Sequence, residues 1–216
     1  MTQEAVVGCH APGGKPDPSY YRRFLQVRYV RGERASRRGI LRPMRLFVAL
    51  EPSAAVRDAL FAWTLEVVGD DPALRPVTPE AQHVTLAFLG ERASPDAAVE
   101  VVEALEVDGV TGVRTAGVLW RERVLSLAVA DQPTLTALHD QLCDALDVVA
   151  QHRPFRPHVT LARLRGRRRP ASRDLPPAPV LDLAPTGVVL LRSHLDGAGG
   201  RPARYEELAR APVGWS

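Results

Sequence analysis

The sequence predicts an α+β fold built of two related lobes, and three observations carry that reading. From Met44 onward, apolar runs of strand length are interspersed with stretches of helical period. Their order is strand, helix, strand, helix, strand, strand, helix and then three strands, which suits antiparallel sheets with helices packed on them rather than a βαβ series. The pentapeptide His-Val-Thr-Leu-Ala occurs twice, starting at His83 and at His158. One copy in each lobe explains the repetition.

Taken in order, "MRLFVAL" at Met44 is the first strand, and Ser53 after Glu51-Pro52 is a candidate helix N-cap. Val56, Leu60, Trp63 and Val67 follow the i, i+4, i+7, i+11 rule of an amphipathic helix, which Gly69 can close. "DDPALRPVTPEA" reads as a turn-rich connection to the strand at His83, and a second helix covers Pro95 to Leu105. "VRTAGVLW" and "VLSLAVA" are successive strands. Asp131 is then expected to cap a helix with Pro133 in its first turn and Leu135, Leu138, Leu142, Leu146 and Val149 on one face. His139 lies off that stripe and is expected to be solvated. After the second repeat, Arg165 to Pro179 is an Arg/Pro-rich loop expected to be mobile, and "TGVVLLRSHL" with "ARYEELARAPV" forms a closing hairpin.

Charge is unevenly placed. Residues 1–43 carry nine basic and three acidic residues, a net +6, whereas the 216-residue chain is only +3, leaving −3 beyond Pro43. The overall basicity therefore belongs to this Gly/Pro/Arg-rich extension, which has no sustained period of 2 or 3.6, and gives no general argument that the remainder binds nucleic acid. No run approaches the eighteen or so apolar residues of a membrane span, and "VVGC" at Val6 to Cys9 lacks the apolar lead of a lipoprotein signal, so a cytoplasmic protein is expected. Two cysteines, Cys9 and Cys143, are too few for a disulfide framework or a thiolate metal site. Cys143 is expected to be a small core residue.

In a strand, residues two apart share a face, so His83 with Thr85, and His158 with Thr160, are each a polar pair on an apolar backing. Pairing the two strands across a pseudo-two-fold axis creates a cleft holding two imidazoles and two hydroxyls. Such a cleft suits acid-base cleavage of a phosphodiester: one imidazole takes a proton from the nucleophile while the other gives one to the leaving oxygen, and the hydroxyls hold the non-bridging oxygens. A single His-x-Thr is usually structural, and the second copy is what changes the balance. Metal binding is the sharper rival, but each motif supplies one good ligand, without His-x-His or His-x₃-His spacing. His10, His139, His152 and His194 fit no ligand spacing and are expected at the surface. Arg156, two residues before His158, is a candidate phosphate clamp. Phe47 is a possible base-stacking platform, with core packing as the alternative.

The paired His-x-Thr-x motifs, together with "MRLFVALEP", "FRPHVTLARL" and "ARYEELAR", resemble the 2H phosphoesterase superfamily, specifically its RNA 2′,3′-cyclic phosphodiesterase (2′-5′ RNA ligase-like) branch. The resemblance runs from Met44 to about Val213. It implies a bilobal α+β fold of two pseudo-symmetric antiparallel sheets with outer helices and a central groove, and a reaction without metal or other cofactor. By the resemblance, His83 is the proton donor to the departing 3′ oxygen and His158 the proton acceptor that activates water, a polarity the residues alone do not decide. Thr85 and Thr160 match the family's phosphate-binding threonines, and Arg163 matches an arginine that meets substrate. Strict alternation puts Arg163 on the face opposite His158, so that role requires a twist or bulge. The expected partner is RNA ending in a 2′,3′-cyclic phosphate, and the expected state is a monomer of one domain over residues 44–216. The extension of residues 1–43 is expected to be disordered or a misassigned start. The alternatives are another cyclic or 2′-5′-linked nucleotide as substrate, 2′-5′ ligation of RNA, or a non-catalytic RNA-binding module.

Overall fold

The computed structural model describes residues 43–69, 71–121, 123–130, 132–148, 154–165, 175–194 and 204–214. The N-terminal extension before Pro43, His10, His152 and most of the loop between Arg165 and Pro179 lie outside these residues. The elements run β1 (Met44–Glu51), α1 (Ala54–Val68), β2 (Leu74–Pro76), β3 (Val84–Arg92), α2 (Asp96–Glu103), β4 (Thr115–Arg121), β5 (Val124–Val129), α3 (Pro133–Ala145), β6 (His158–Leu164), β7 (Gly187–His194) and β8 (Arg204–Pro212). A 3₁₀ turn at Pro79–Ala81 leads into β3. No described helix is long and apolar enough to cross a membrane.

The expected order holds, with one addition. The three residues of β2, hidden in a connection rich in Pro and Asp, pair with β6 through Leu74–Leu164, Arg75–Arg163 and Pro76–Ala162. Their identity as a strand comes from that partner and not from local propensity. Helix α1 buries Leu60 and Val67, with Val56 and Trp63 packed partly against the core, as the period requires. Gly69 ends it at φ 50° with its N–H donating to the Leu65 carbonyl at 2.9 Å. Ser53 occupies the N-cap position, but its hydroxyl makes no capping bond; its N–H donates instead to the Leu183 carbonyl at 3.0 Å, so the helix start is held from another segment. At α3 the N-cap is Gln132 and not Asp131, and its side-chain amide donates to the Gly112 carbonyl at 2.5 Å.

All strand pairs are antiparallel, in the order β4-β5-β6-β3-β1-β7-β8, with β2 alongside β6. Where the resemblance implied two sheets, the strands form one eight-stranded sheet, which can be divided at β3 and β6. β3, β1, β7 and β8 form one half, β4, β5, β6 and β2 the other, and the halves meet at a single pair, Val84–Val159. Leu60 of α1, Val102 of α2 and Leu135, Leu138 and Leu142 of α3 share one core with Leu46, Val48, Val84, Leu86, Leu127, Val159 and Leu161 of the sheet. These helix residues thus cover one face of the sheet, and its other face carries the small apolar cluster of Phe47, Ala49 and Val189 beside the polar members of the strands.

His139 is a correction to the sequence reading. It is half-buried and not free in solvent: its ring stacks on Phe155, with centroids 4.1 Å apart and planes at 6°, and Nδ1 lies 2.6 Å from the Leu86 carbonyl. Cys143 is buried beside it, with Sγ 3.7 Å from the same nitrogen, and burial pushes its thiol up from the ordinary range. This thiol is a core residue, as expected. His194 is half-buried and its Nε2 lies 2.8 Å from a Glu206 carboxylate oxygen.

Candidate active site

The site grows out of the junction between the halves. Because β3 and β6 are antiparallel and meet at Val84–Val159, the local two-fold of the pair passes between these residues and relates His83 to His158 and Thr85 to Thr160. One step in either direction sets His83 against Thr160 and Thr85 against His158. Val84 and Val159 are fully buried toward the helices, so their four polar neighbours all lie on the opposite face. The two histidines occupy the diagonal of this rectangle, roughly 7–8 Å between backbones for such a pair.

The symmetry extends beyond the motif. In β3, Val48 pairs with Ala87 and Ala49 with Thr85, leaving Leu86 as an extra residue; in β6, Leu125 pairs with Ala162 and Ser126 with Thr160, leaving Leu161 extra. Each copy therefore carries a bulge at its Leu-Ala. Leu86 and Ala87 are each 2% exposed, and Leu161 and Ala162 are each fully buried, so two successive residues face the core and the alternation is reset. This reset resolves the difficulty with Arg163. Past the bulge it returns to the histidine face, and its charge is felt at His83.

Both imidazoles are oriented in the same way. His83 Nδ1 lies 2.9 Å from the Ala81 carbonyl, and His158 Nδ1 lies 2.9 Å from the Arg156 carbonyl. A carbonyl only accepts, so Nδ1 carries the hydrogen in each ring and Nε2 is left for chemistry. Among the described residues neither Nε2 has a hydrogen-bond partner. Arg156 thus contributes through its backbone, while its side chain is exposed and joins no ion pair with a described residue.

The surroundings of the two rings differ. His83 is half-buried between Phe47 and Tyr205, whose ring centroids lie 5.0 and 5.3 Å away, and the two aromatics are themselves 5.2 Å apart. Burial, with smaller contributions from the charges of Arg163 and His158, pushes the His83 pKa down to about 4. Its bond to the Ala81 carbonyl acts in the other direction. His158 is exposed. The stacking role expected of Phe47 does not fit this geometry: at 4% exposed, with its ring set against His83 and Tyr205, it has no free face for a base. Phe47 and Tyr205 hold the His83 ring. Sequence reading assigned Tyr205 no role, because the contact joins β8 to a residue more than a hundred positions earlier and leaves no local pattern.

Among the described residues no three His, Cys, Asp or Glu side chains converge as a possible metal site. The arrangement offers instead two imidazoles, two hydroxyls and an arginine on one face.

Residues 63–196 match the 2′-5′ RNA ligase superfamily. The chain is 26% identical over 183 residues to an RNA 2′,3′-cyclic phosphodiesterase of Geobacillus stearothermophilus, covering 77% of this chain and 56% of that protein, so it spans little more than half of that relative's length. It is 33% identical over 128 residues to a protein of the same name from Escherichia coli K12, covering 56% of this chain and 72% of that protein. Among solved structures, E. coli LigT complexed with 3′-AMP superimposes with a TM-score of 0.62 at 30% identity, covering 79% of this chain and 98% of that one. LigT complexed with phosphate gives 0.61 at 27% identity over 80% and 98%.

Proposed function

This chain belongs to the 2′-5′ RNA ligase superfamily, and from that premise we propose that it is an RNA 2′,3′-cyclic phosphodiesterase that opens the cyclic end to a 2′-phosphomonoester by paired-histidine acid-base catalysis. The observation that carries this reading is the two-fold disposition of the His-x-Thr pairs about Val84–Val159, with both Nδ1 atoms tied to carbonyls. The phosphorus sits over the two-fold. His158 Nε2 takes a proton from water, the water oxygen bonds to phosphorus as the bond to O3′ breaks, and His83 Nε2 supplies the proton O3′ needs. Thr85 and Thr160 donate to the non-bridging oxygens, while Arg163 and Arg156 balance the anionic charge.

The low affinity of His83 for a proton links the proton to the substrate. A phosphate anion placed between the rings favours the charged imidazole, so the acid is loaded as substrate arrives and is a strong donor once there. Family membership and the names of the relatives support the substrate class, and the chain is read as a cytoplasmic monomer acting without a metal. The test is incubation of the purified protein with EDTA and an RNA ending in a 2′,3′-cyclic phosphate. The expected product is the 2′-phosphomonoester; an unchanged substrate, or a 3′-phosphomonoester, overturns the proposal.

A further inference from the structure

A bulge leaves its extra residue outside the ladder, so the backbone groups of that residue must find partners elsewhere. At Leu161 the partner is backbone: the N–H of Val77, just past β2, donates to its carbonyl at 2.7 Å. At Leu86 the partner is a side chain. His139 of α3 has Nδ1 2.6 Å from the Leu86 carbonyl, and because a carbonyl only accepts, Nδ1 is the donor. The pseudo-two-fold thus matches two held carbonyls, one tied by a neighbouring backbone segment and the other by an imidazole that the proposed reaction does not use.

The His139 ring is itself held by its stack on Phe155, which lies three residues before His158, while Leu86 directly follows Thr85. One side chain from α3 therefore touches the strand of the first motif and the lead into the second. Where the bulge sits decides where Thr85 points. Ala49 pairs with Thr85 and Val48 with Ala87, and past the bulge alternation resumes with Phe88 on the histidine face, as it does with Arg163 in the other copy. Were the bulge to slide back by one residue, Ala49 would pair with Leu86, the register on either side would survive, and Thr85 would lose the pairing that fixes its face. We infer that His139 is a positioning residue: its bond to the Leu86 carbonyl pins the bulge at Leu86 and so aims the Thr85 hydroxyl at the phosphate. This rests on the reading of the site as a cyclic phosphodiesterase. His139 acts through Thr85 from the helix side of the sheet, and its imidazole takes no part in the proton transfers.

The experiment measures kcat and KM for a cyclic-phosphate-ended RNA in two variants. His139→Phe keeps a ring against Phe155 but cannot donate, and His139→Asn places an amide nitrogen where Nδ1 stood. His139→Phe should lose about 5-fold, mostly in kcat, and His139→Asn should recover most of that loss. His139→Phe is then combined with Thr85→Val and, separately, with Thr160→Val. Its effect should shrink below about 2-fold in the Thr85→Val background and persist at about 5-fold in the Thr160→Val background, because only the first pair acts through one hydroxyl. An unchanged kcat in His139→Phe, an equal loss in His139→Asn, or equal losses in the two threonine backgrounds overturns the positioning role. Absence of hydrolysis in wild type overturns the phosphodiesterase reading instead, so the two failures are distinct. Should His139→Phe fail to fold, His139→Leu, smaller and equally unable to donate, replaces it in the same cycle.

Discussion

The two copies of His-Val-Thr-Leu-Ala share their sequence, their bulge and the bond from Nδ1 to the carbonyl two residues earlier. They do not share an environment. His83 has Phe47 and Tyr205 against its ring, whereas His158 is exposed. Past the bulge one strand carries Phe88 and the other Arg163. Identical strands thus receive distinct chemistry from their neighbours, so the axis that builds the site does not make its ends equivalent. Burial moves one proton affinity, and a charge at one end with an aromatic at the other distinguishes the sides of a phosphorus placed between them.

The sharpest way to break this comparison is to remove each imidazole in turn. His83→Ala and His158→Ala should each lose about 10² to 10⁴-fold in kcat, read with a cyclic-phosphate RNA. A leaving group better than a 3′ hydroxyl should restore His83→Ala and leave His158→Ala slow. Rescue of the opposite variant would reverse the roles, and near-normal activity in either would remove the mechanism. Next come the hydroxyls. The axis relates Thr85 to Thr160, so Thr85→Val and Thr160→Val should lose similar activity, each about 10-fold or more, as hydrogen bonds to a charged group allow. A large loss in one and none in the other would mean that only one threonine holds the phosphate.

A smaller effect is expected from unpacking the buried ring. Tyr205→Ala exposes His83 to water and should raise its pKa from about 4 toward the ordinary 6.5, as seen by NMR titration of the imidazole, while Tyr205→Phe should leave it low. The same difference sets an acid-side loss of stability. Between pH 4 and 6.5 the unfolded chain binds more protons at His83 than the folded one, so this contribution to stability is full above about pH 6.5 and is lost as pH falls toward 4. Melting temperatures over that range should fall less steeply in His83→Gln than in wild type. An unchanged slope would show that His83 is not held neutral by the fold.

Much of this was legible in the residues. Period 2 and period 3.6 patterns placed seven of the strands and all three described helices in their observed order, because those patterns record which face of an element meets the core. The repeated pentapeptide singled out His83, Thr85, His158 and Thr160 as candidates, and alternation put each pair on one face. Alternation misled at Arg163, since a bulge adds a residue without any change in composition. It was also no guide to Phe47 against Phe88: both are phenylalanines on the same face of paired strands, and which one is covered depends on where the His83 and Tyr205 rings pack. His139 escaped for a similar reason, since its partners Leu86 and Phe155 come from β3 and from the approach to β6.

The sequence by itself determined the alternation of strands and helices, their polar and apolar faces, and the pair of His-x-Thr motifs, because these are properties of residues a few positions apart. Only the tertiary structure decided that the two motif strands meet at Val84–Val159, that both bulge at Leu-Ala, that Arg163 returns to the histidine face, and that of the two histidines His83 is the more enclosed. The physical reason is that register, burial and electrostatics are set by contacts between segments far apart in the chain. A pentapeptide written twice carries no record of the different neighbours that the fold brings to each copy.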